Sequence, residues 1–589
     1  MADTTSHQPR PSHRPDHDGT DRVDRKTPRA LADAYLDAYG ELDPIAATHY
    51  GTRPGDHRLP DLSPAGQEAV AALQRATLTR LAELERDTAP AADPADAEAT
   101  AERRCARLLR ERLTAALAVH DAGEGLRRLG NLGSPLHRIR DVFTLMPTDT
   151  PEDWSVVAAR MRHVPGALDG YRASLAEGLA RDLPAGPRQV ATVVDQLGEW
   201  LGETGGDGRD WFTALVDAGP PRPRDDLTAA AGRAAAAVAD LRDWLRDRYA
   251  PAVAGAPDVV GADRYALWAR QHTGADLDLA EAYAWGWEEF HRIAAEMCAE
   301  ADRVLPGAGT PATLHHLRTS GTAIDGVPAV RAWLQRLTEE AIDALDGVHF
   351  DLAAPLHRVE TLIAPPGTAA APYYASPPLD FSRPGRIYLP TMGLQRFPIW
   401  DLVSTWYHEG VPGHHLQLAQ WVLVADRLSR YQVTVGMVSA NVEGWALYAE
   451  RLMDELGFLT DPERRLGYLD AQMLRALRVI LDIGMHLALP IPAGSGFHEG
   501  ERWTPALARE FFGRHCGLPP DYLDSELVRY LGLPGQAIGY KLGERAWLRG
   551  RERARRAHGA AFDLRAWHMA ALSSGSLGLD DLEDELAAR

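Results

Sequence analysis

The amino-acid sequence predicts a mainly α protein: one large helical body with a small β-sheet beside the helices that hold its most polar motif. Three observations lead there. From Ala30 to Tyr249, and again from Asp278 to Leu345, apolar residues recur at three- and four-residue spacing, the period of one helix face. Between His357 and Thr391 the texture changes to β-branched residues and prolines, the composition of short strands joined by turns. Beyond Thr391 the helical period returns and runs to the C-terminus.

Taken in order, residues 1–27 are rich in Asp, His, Arg and Pro and nearly free of large apolar side chains, so they are expected to form a disordered tail. His7, His13 and His17 in that tail have no rigid frame to make a metal site. Helices are expected over Ala30–Tyr39, Gly66–Arg86, Ala99–Ala118, Pro151–Ala180, Pro187–Leu201 and Asp226–Tyr249. Breakers at Gly205-Gly206-Asp207-Gly208 and Pro220-Pro221-Arg222-Pro223 mark loops between them. Asp278-Leu279-Ala280-Glu281 has capping-box form and opens a helix towards Val304. Another covers Val327–Leu345. Two or three strands follow, and the later helices are interrupted at Pro490–Gly500 and Leu533-Pro534-Gly535. Residues 28–589 are read as one domain, with a helical half over 28–350 and a half carrying sheet and motif over 351–589.

Composition narrows the function. With 63 basic against 83 acidic residues, the net charge of −20 argues against a nucleic-acid surface and against anionic membranes. The expected partner is a peptide or small-molecule substrate. Three cysteines, Cys105, Cys298 and Cys516, form no CxxC pair, the first residues lack an apolar signal core, and no window is long and apolar enough to span a bilayer. From these features a cytoplasmic protein is the expectation. Oligomeric state is not readable.

The chemistry concentrates in Trp406-Tyr407-His408-Glu409-Gly410-Val411-Pro412-Gly413-His414-His415. A metal hydrolase needs neutral imidazoles and a carboxylate as ligands, plus a second carboxylate to take a proton from water. On a regular helix His408 and His414, six residues apart, would point about 120° away from each other. His408 and His415 would share a face about 10.5 Å apart along the axis. Pro412 cannot donate to the carbonyl of His408, and Gly413 permits unusual dihedrals, so a helix broken there brings His414 back beside His408. His408 and His414 are therefore the preferred ligands and His415 the reserve, with Glu409 as general base. The third ligand is expected from Asn441-Val442-Glu443-Gly444-Trp445-Ala446-Leu447-Tyr448-Ala449-Glu450, where Glu443 sits among apolar neighbours; Glu450, beside Arg451, is read as a surface ion pair.

The motif resembles the signature of the bacterial family known as domain of unknown function 885. The likeness continues through Tyr373-Tyr374, Ser382-Arg383-Pro384-Gly385, Glu443-Gly444-Trp445-Ala446-Leu447-Tyr448, Arg478 to Asp482, Gly484 and His486, and Pro534-Gly535-Gln536-Ala537 with Tyr540 and Gly543. It implies a zincin-like helical body related to zinc metallopeptidases of the thermostable carboxypeptidase and oligopeptidase types, with a buried channel and a small sheet beside the metal. It also implies His408, His414 and Glu443 as ligands and Glu409 as base, and names no substrate.

Other candidates are assigned by chemistry. Arg478, Asp482 and His486 form one polar stripe, either a structural network or, for His486, a transition-state donor. Tyr540 is placed as a donor to a developing oxyanion. Arg529 and Tyr530 suit a substrate carboxylate, and Arg529 equally suits a protein acid. Tyr374 and Tyr388 are candidate substrate contacts, with Arg386–Leu389 as an edge strand that aligns an extended substrate. The leading expectation is a zinc-dependent peptidase or amide hydrolase, with iron, manganese or cobalt as alternative ions. The alternatives are a metal-dependent tailoring enzyme acting on a specialised small molecule, and a non-catalytic binding protein.

Overall fold

A computed structural model describes residues 27–87, 96–204, 208–219, 225–364 and 371–589. The expected tail, apart from Thr27, and most of the two Gly- and Pro-rich loops lie outside these residues. The fold is mainly helical, with two small sheets.

Proline in the first turn opens many of the helices, including Pro28–Leu42, Pro151–Met161, Pro187–Trp200 and Pro462–His486. Its missing N–H falls where no intrahelical acceptor is needed. The same residue corrects one expectation. Pro151–Ala180 is two helices, Pro151–Met161 and Val164–Ala180, because Pro165 cannot donate to the carbonyl four residues back. The helix expected over Asp226–Tyr249 holds its α form only over Asp225–Trp244 and passes through one π turn, Leu245–Tyr249. Asp278 caps Leu279–Val304 by accepting from the Ala280 and Glu281 amides.

Three strands form within the predicted window. They are β2 (Val359–Ile363), β3 (Tyr373–Ala375) and β4 (Gly385–Leu389); β1 (Ala323–Asp325) and β5 (Arg396–Pro398) pair separately. The sheet order is β2-β4-β3, with β2 parallel and β3 antiparallel to β4. This corrects the edge-strand expectation: β4 is central and both its hydrogen-bonding sides are occupied, which leaves β3 as an edge.

Two large apolar cores fill the described residues. One lies within Leu129–Val253, joined by Ile45. The other draws on residues from Ala32 to Leu586 and encloses the His408 motif. Because helices near the N-terminus contribute Ala32, Leu81 and Cys105 to this second core, it does not divide at residue 350. A close crossing within it joins Ser439–Glu455 to Gly539–His558. There Gly444 meets Gly543, and a Cβ on Gly444 would stand 2.4 Å from the Gly543 Cα. Among the described residues no helix is long and apolar enough to cross a membrane.

Candidate metal centre

The site begins with a broken helix. Leu402–Glu409 stops at Gly410 and His414–Leu423 starts four residues later. Pro412 leaves the His408 carbonyl without its usual partner, and the chain closes differently: Gly413 donates to the Tyr407 carbonyl at 3.0 Å and His415 to that of Gly410 at 3.1 Å. Only glycine fits at 413, since a Cβ would meet the His408 carbonyl oxygen at 1.9 Å. The Val411–Pro412 peptide is cis. From the neighbouring helix the Trp445 indole N–H donates to the carbonyls of Pro412 and Gly413, at 2.9 and 3.2 Å, and pins the break.

This geometry turns the two imidazoles towards each other, with ring centroids 4.7 Å apart. Both face Glu443: its Oε2 lies 3.4 Å from His408 Nε2 and 3.6 Å from His414 Nε2. For tetrahedral zinc with bonds of about 2.0–2.2 Å, two ligand atoms stand about 3.3–3.6 Å apart. Glu443 Oε2 and His414 Nδ1 are also buried without a hydrogen-bond partner, a costly state that a cation at Oε2 would relieve for the carboxylate. The residues therefore fit a divalent ion. Glu409 lies beside them, its carboxylate within 4.8 Å of both imidazoles.

Electrostatics point the same way. Burial alone would lower the His408 pKa, but Glu443 and Glu450 raise it to about 9. Glu443 is held well below the ordinary carboxylate range because the two imidazoles outweigh its burial. Burial pushes Glu409 upward, against the pull of His414 and His408. Three carboxylates around two imidazoles thus favour positive charge at their centre. Glu443 retains 21 % exposure of its side chain, against 5 % for His408 and 10 % for His414, so the cluster opens on the Glu443 side.

Glu450 is not the surface residue its neighbour Arg451 suggested. Fully buried, it accepts from His408 Nδ1 at 2.8 Å and from the Ser404 hydroxyl. It lies seven residues, two turns, beyond Glu443 on the same helix face, and that spacing in an apolar stretch was the available signal. Holding Nδ1–H, it fixes the tautomer that presents Nε2 to Glu443. Arg475 was also missed; its Nη2 lies 3.9 Å from Glu450 Oε1.

The other candidates separate. His415 is occupied at both nitrogens, by the Tyr374 hydroxyl at 3.0 Å and the Leu356 carbonyl at 2.8 Å, so the structure brings His414 rather than His415 to Glu443. Tyr374 accordingly spends its hydroxyl on His415, and Gly385 is needed beneath them, since a Cβ there would meet both groups within 2.6 Å. Tyr388 stacks on its cross-strand partner Tyr373 at 4.8 Å. Ile387 of the same strand approaches Gly410, so alternation puts Tyr388 on the sheet face away from the cluster. His486 receives the Val260 N–H and donates to the Tyr530 carbonyl, which makes its ring a strut between segments. Tyr540, by contrast, is at the site's edge: after burial, the Glu443 charge is the strongest influence raising its phenol pKa. Arg529 pairs with Glu526 at 3.0 Å.

Fold and site together define a helical protein with a buried His/His/Glu cluster at an interrupted helix. The chain belongs to the bacterial family of proteins of unknown function DUF885, whose model matches residues 44–586. A crystal structure described as "the putative lipoprotein from Colwellia psychrerythraea" is similar, with a TM-score of 0.78 and 20 % identity over 96 % of this chain and 99 % of that one. Another, of "a putative lipoprotein of unknown function from Shewanella oneidensis", has a TM-score of 0.71 and 18 % identity over 95 % and 99 % of the two chains. At these identities the likeness concerns the fold. No curated protein matches the chain.

Proposed function

We propose that this protein is a metal-dependent hydrolase of the zinc-metallopeptidase kind, cleaving an amide or peptide bond in a cytoplasmic substrate. The observation that carries the reading is the convergence of His408 Nε2 and His414 Nε2 on Glu443 Oε2, at 3.4 and 3.6 Å, with Glu409 alongside. These three residues would hold the ion, with zinc preferred and iron, manganese or cobalt as alternatives. Such an ion supplies Lewis-acid polarisation of a carbonyl and activation of water.

The chain's own groups divide the remaining work. Glu409, its carboxylate pushed towards the neutral form by burial, accepts the proton of the attacking water and delivers it to the departing nitrogen. Tyr540 stays protonated and donates to the oxygen on which negative charge develops. Glu450 holds the His408 ring. Substrate enters past Glu443 and Tyr540, where the cluster is least buried and a channel would open. Three cysteines that form no disulfide suit a reducing compartment.

Elemental analysis and a peptide library test this. About one zinc per chain is expected, lost in His408→Ala. Glu409→Gln should retain the metal while turnover falls by about 10²–10⁴, the usual worth of a general base. A wild-type protein that binds no divalent ion overturns the proposal.

A further inference from the structure

Beside the cluster lies a group of cations that the hydrolytic chemistry does not use. Arg475 and Arg478 come from Pro462–His486, and Arg529 from Pro520–Gly532. Their side chains are only 13, 6 and 11 % exposed. Buried guanidiniums need acceptors, and here they share too few. Glu526 is the carboxylate between Arg478 and Arg529, and its Oε2 already accepts from Arg478 Nη2 at 2.9 Å, Arg529 Nη2 at 3.0 Å and the Tyr530 hydroxyl at 2.7 Å. Arg475 donates Nη1 to the Ala471 carbonyl at 3.0 Å and reaches Glu450 only at 3.9 Å, while Glu450 is committed to His408 and Ser404. The Nε atoms of both Arg475 and Arg529 are buried with no hydrogen-bond partner.

The position of this surplus charge gives it meaning. Arg475 is separated from His408 by the single carboxylate of Glu450. Arg478 lies over the Tyr540 ring, 4.5 Å from its centroid, and Tyr540 is the residue that feels Glu443. The phenol therefore borders the Arg478 guanidinium on its ring face while it feels the Glu443 charge of the cluster. Around that phenol the guanidiniums have more N–H donors than protein acceptors: two buried Nε–H groups have no partner, and the one carboxylate oxygen between Arg478 and Arg529 is shared by both.

We propose that Arg475 and Arg529, braced by Arg478 and Glu526, form the binding site for a substrate carboxylate next to the bond that is cut. The substrate class is then peptides or N-acyl amino acids with a free C-terminal carboxylate, cleaved near that end. Guanidinium donors match a carboxylate in planar geometry and hold it more strongly than a neutral amide. Assignment to the substrate rests on the hydrolase reading; the carboxylate site itself does not.

Binding of two tripeptide pools of identical sequence composition, one with free C-termini and one amidated, tests this by equilibrium dialysis against the full-length Glu409→Gln protein. The free-acid pool should be retained about ten- to a hundred-fold more strongly, as loss of a charge-assisted bond predicts. Arg529→Met and Arg475→Met, each in the same background, should reduce that preference towards unity while zinc content and the thermal midpoint show that the protein is folded and loaded. Equal retention of both pools, retention of neither, or a preference untouched by both substitutions overturns the proposal. A protein that prefers the free acids yet binds no metal would keep the carboxylate site and remove the hydrolase reading. One that binds zinc without the preference would do the reverse.

Discussion

Replacing Glu450 by glutamine separates two readings of the same residue. If Glu450 is a surface partner of Arg451, its loss costs little, since exposed pairs contribute about 0–1 kcal/mol. The structure instead buries it fully, 2.8 Å from His408 Nδ1, where it orients a proposed ligand through its far nitrogen. Loss of such a partner commonly weakens metal binding by about ten- to a hundred-fold. At about 1.4 kcal/mol per factor of ten, that corresponds to about 1.4–2.8 kcal/mol. Glutamine conserves the volume and keeps one oxygen to accept from His408, while its NH2 group takes the place of the oxygen that accepts from Ser404 and can donate to that hydroxyl instead, so the change falls on charge more than on packing. Zinc affinity measured by competition with a chromophoric chelator should drop by that factor in Glu450→Gln. Glu455→Gln, on the same helix but paired with Arg451 and Arg551 at the surface, should leave it unchanged. Equal affinities for Glu450→Gln and wild type, alongside loss in His408→Ala, would refute the orienting role.

Further predictions follow from packing and from titration. Gly444→Ala forces a Cβ against the backbone of Gly543 and must push the paired helices apart, costing about 1–3 kcal/mol as overpacking usually does; because Glu443 is the adjacent residue, zinc affinity should fall with the unfolding midpoint. Gly385→Ala places a Cβ 2.4 Å from the Tyr374 hydroxyl, and Tyr374→Phe should recover some of the lost stability in a double-mutant cycle; strict additivity would show that the hydroxyl is not what the new methyl meets. Asp482 accepts from Tyr265 and Gly535, yet burial raises its pKa from 3.8 to about 7. Between those values the folded state holds a proton that the unfolded state has lost, so this contribution is present in full below about pH 4 and disappears as pH rises through about 7. Asp482→Asn should therefore flatten the decline in urea-unfolding free energy between about pH 4 and 7, and an unchanged slope would rule the group out as its source.

What could be read from the sequence divides along a physical line. The 3.6-residue period identifies a buried helix face, and Pro412-Gly413 marks where a helix must break; from these two local facts the facing of His408 and His414 followed. Register in a short sheet is set by pairing across distant residues, so Gly385–Leu389 looked like an edge until Val359–Ile363 and Tyr373–Ala375 took both its sides. The same limit explains Glu450, Arg475 and His486. Their helical faces were legible, but a charged residue on a buried face is defined by what the crossing helix presents, and helix crossings depend on close approaches such as that between Gly444 and Gly543. An acid two turns beyond a proposed ligand, in an apolar stretch, therefore carries more information than the basic residue beside it in sequence. Residues i and i+1 on a helix do not face each other, whereas i and i+7 do. By that rule Glu443 and Glu450 belong to one face and Arg451 to another, which is how the structure arranges them.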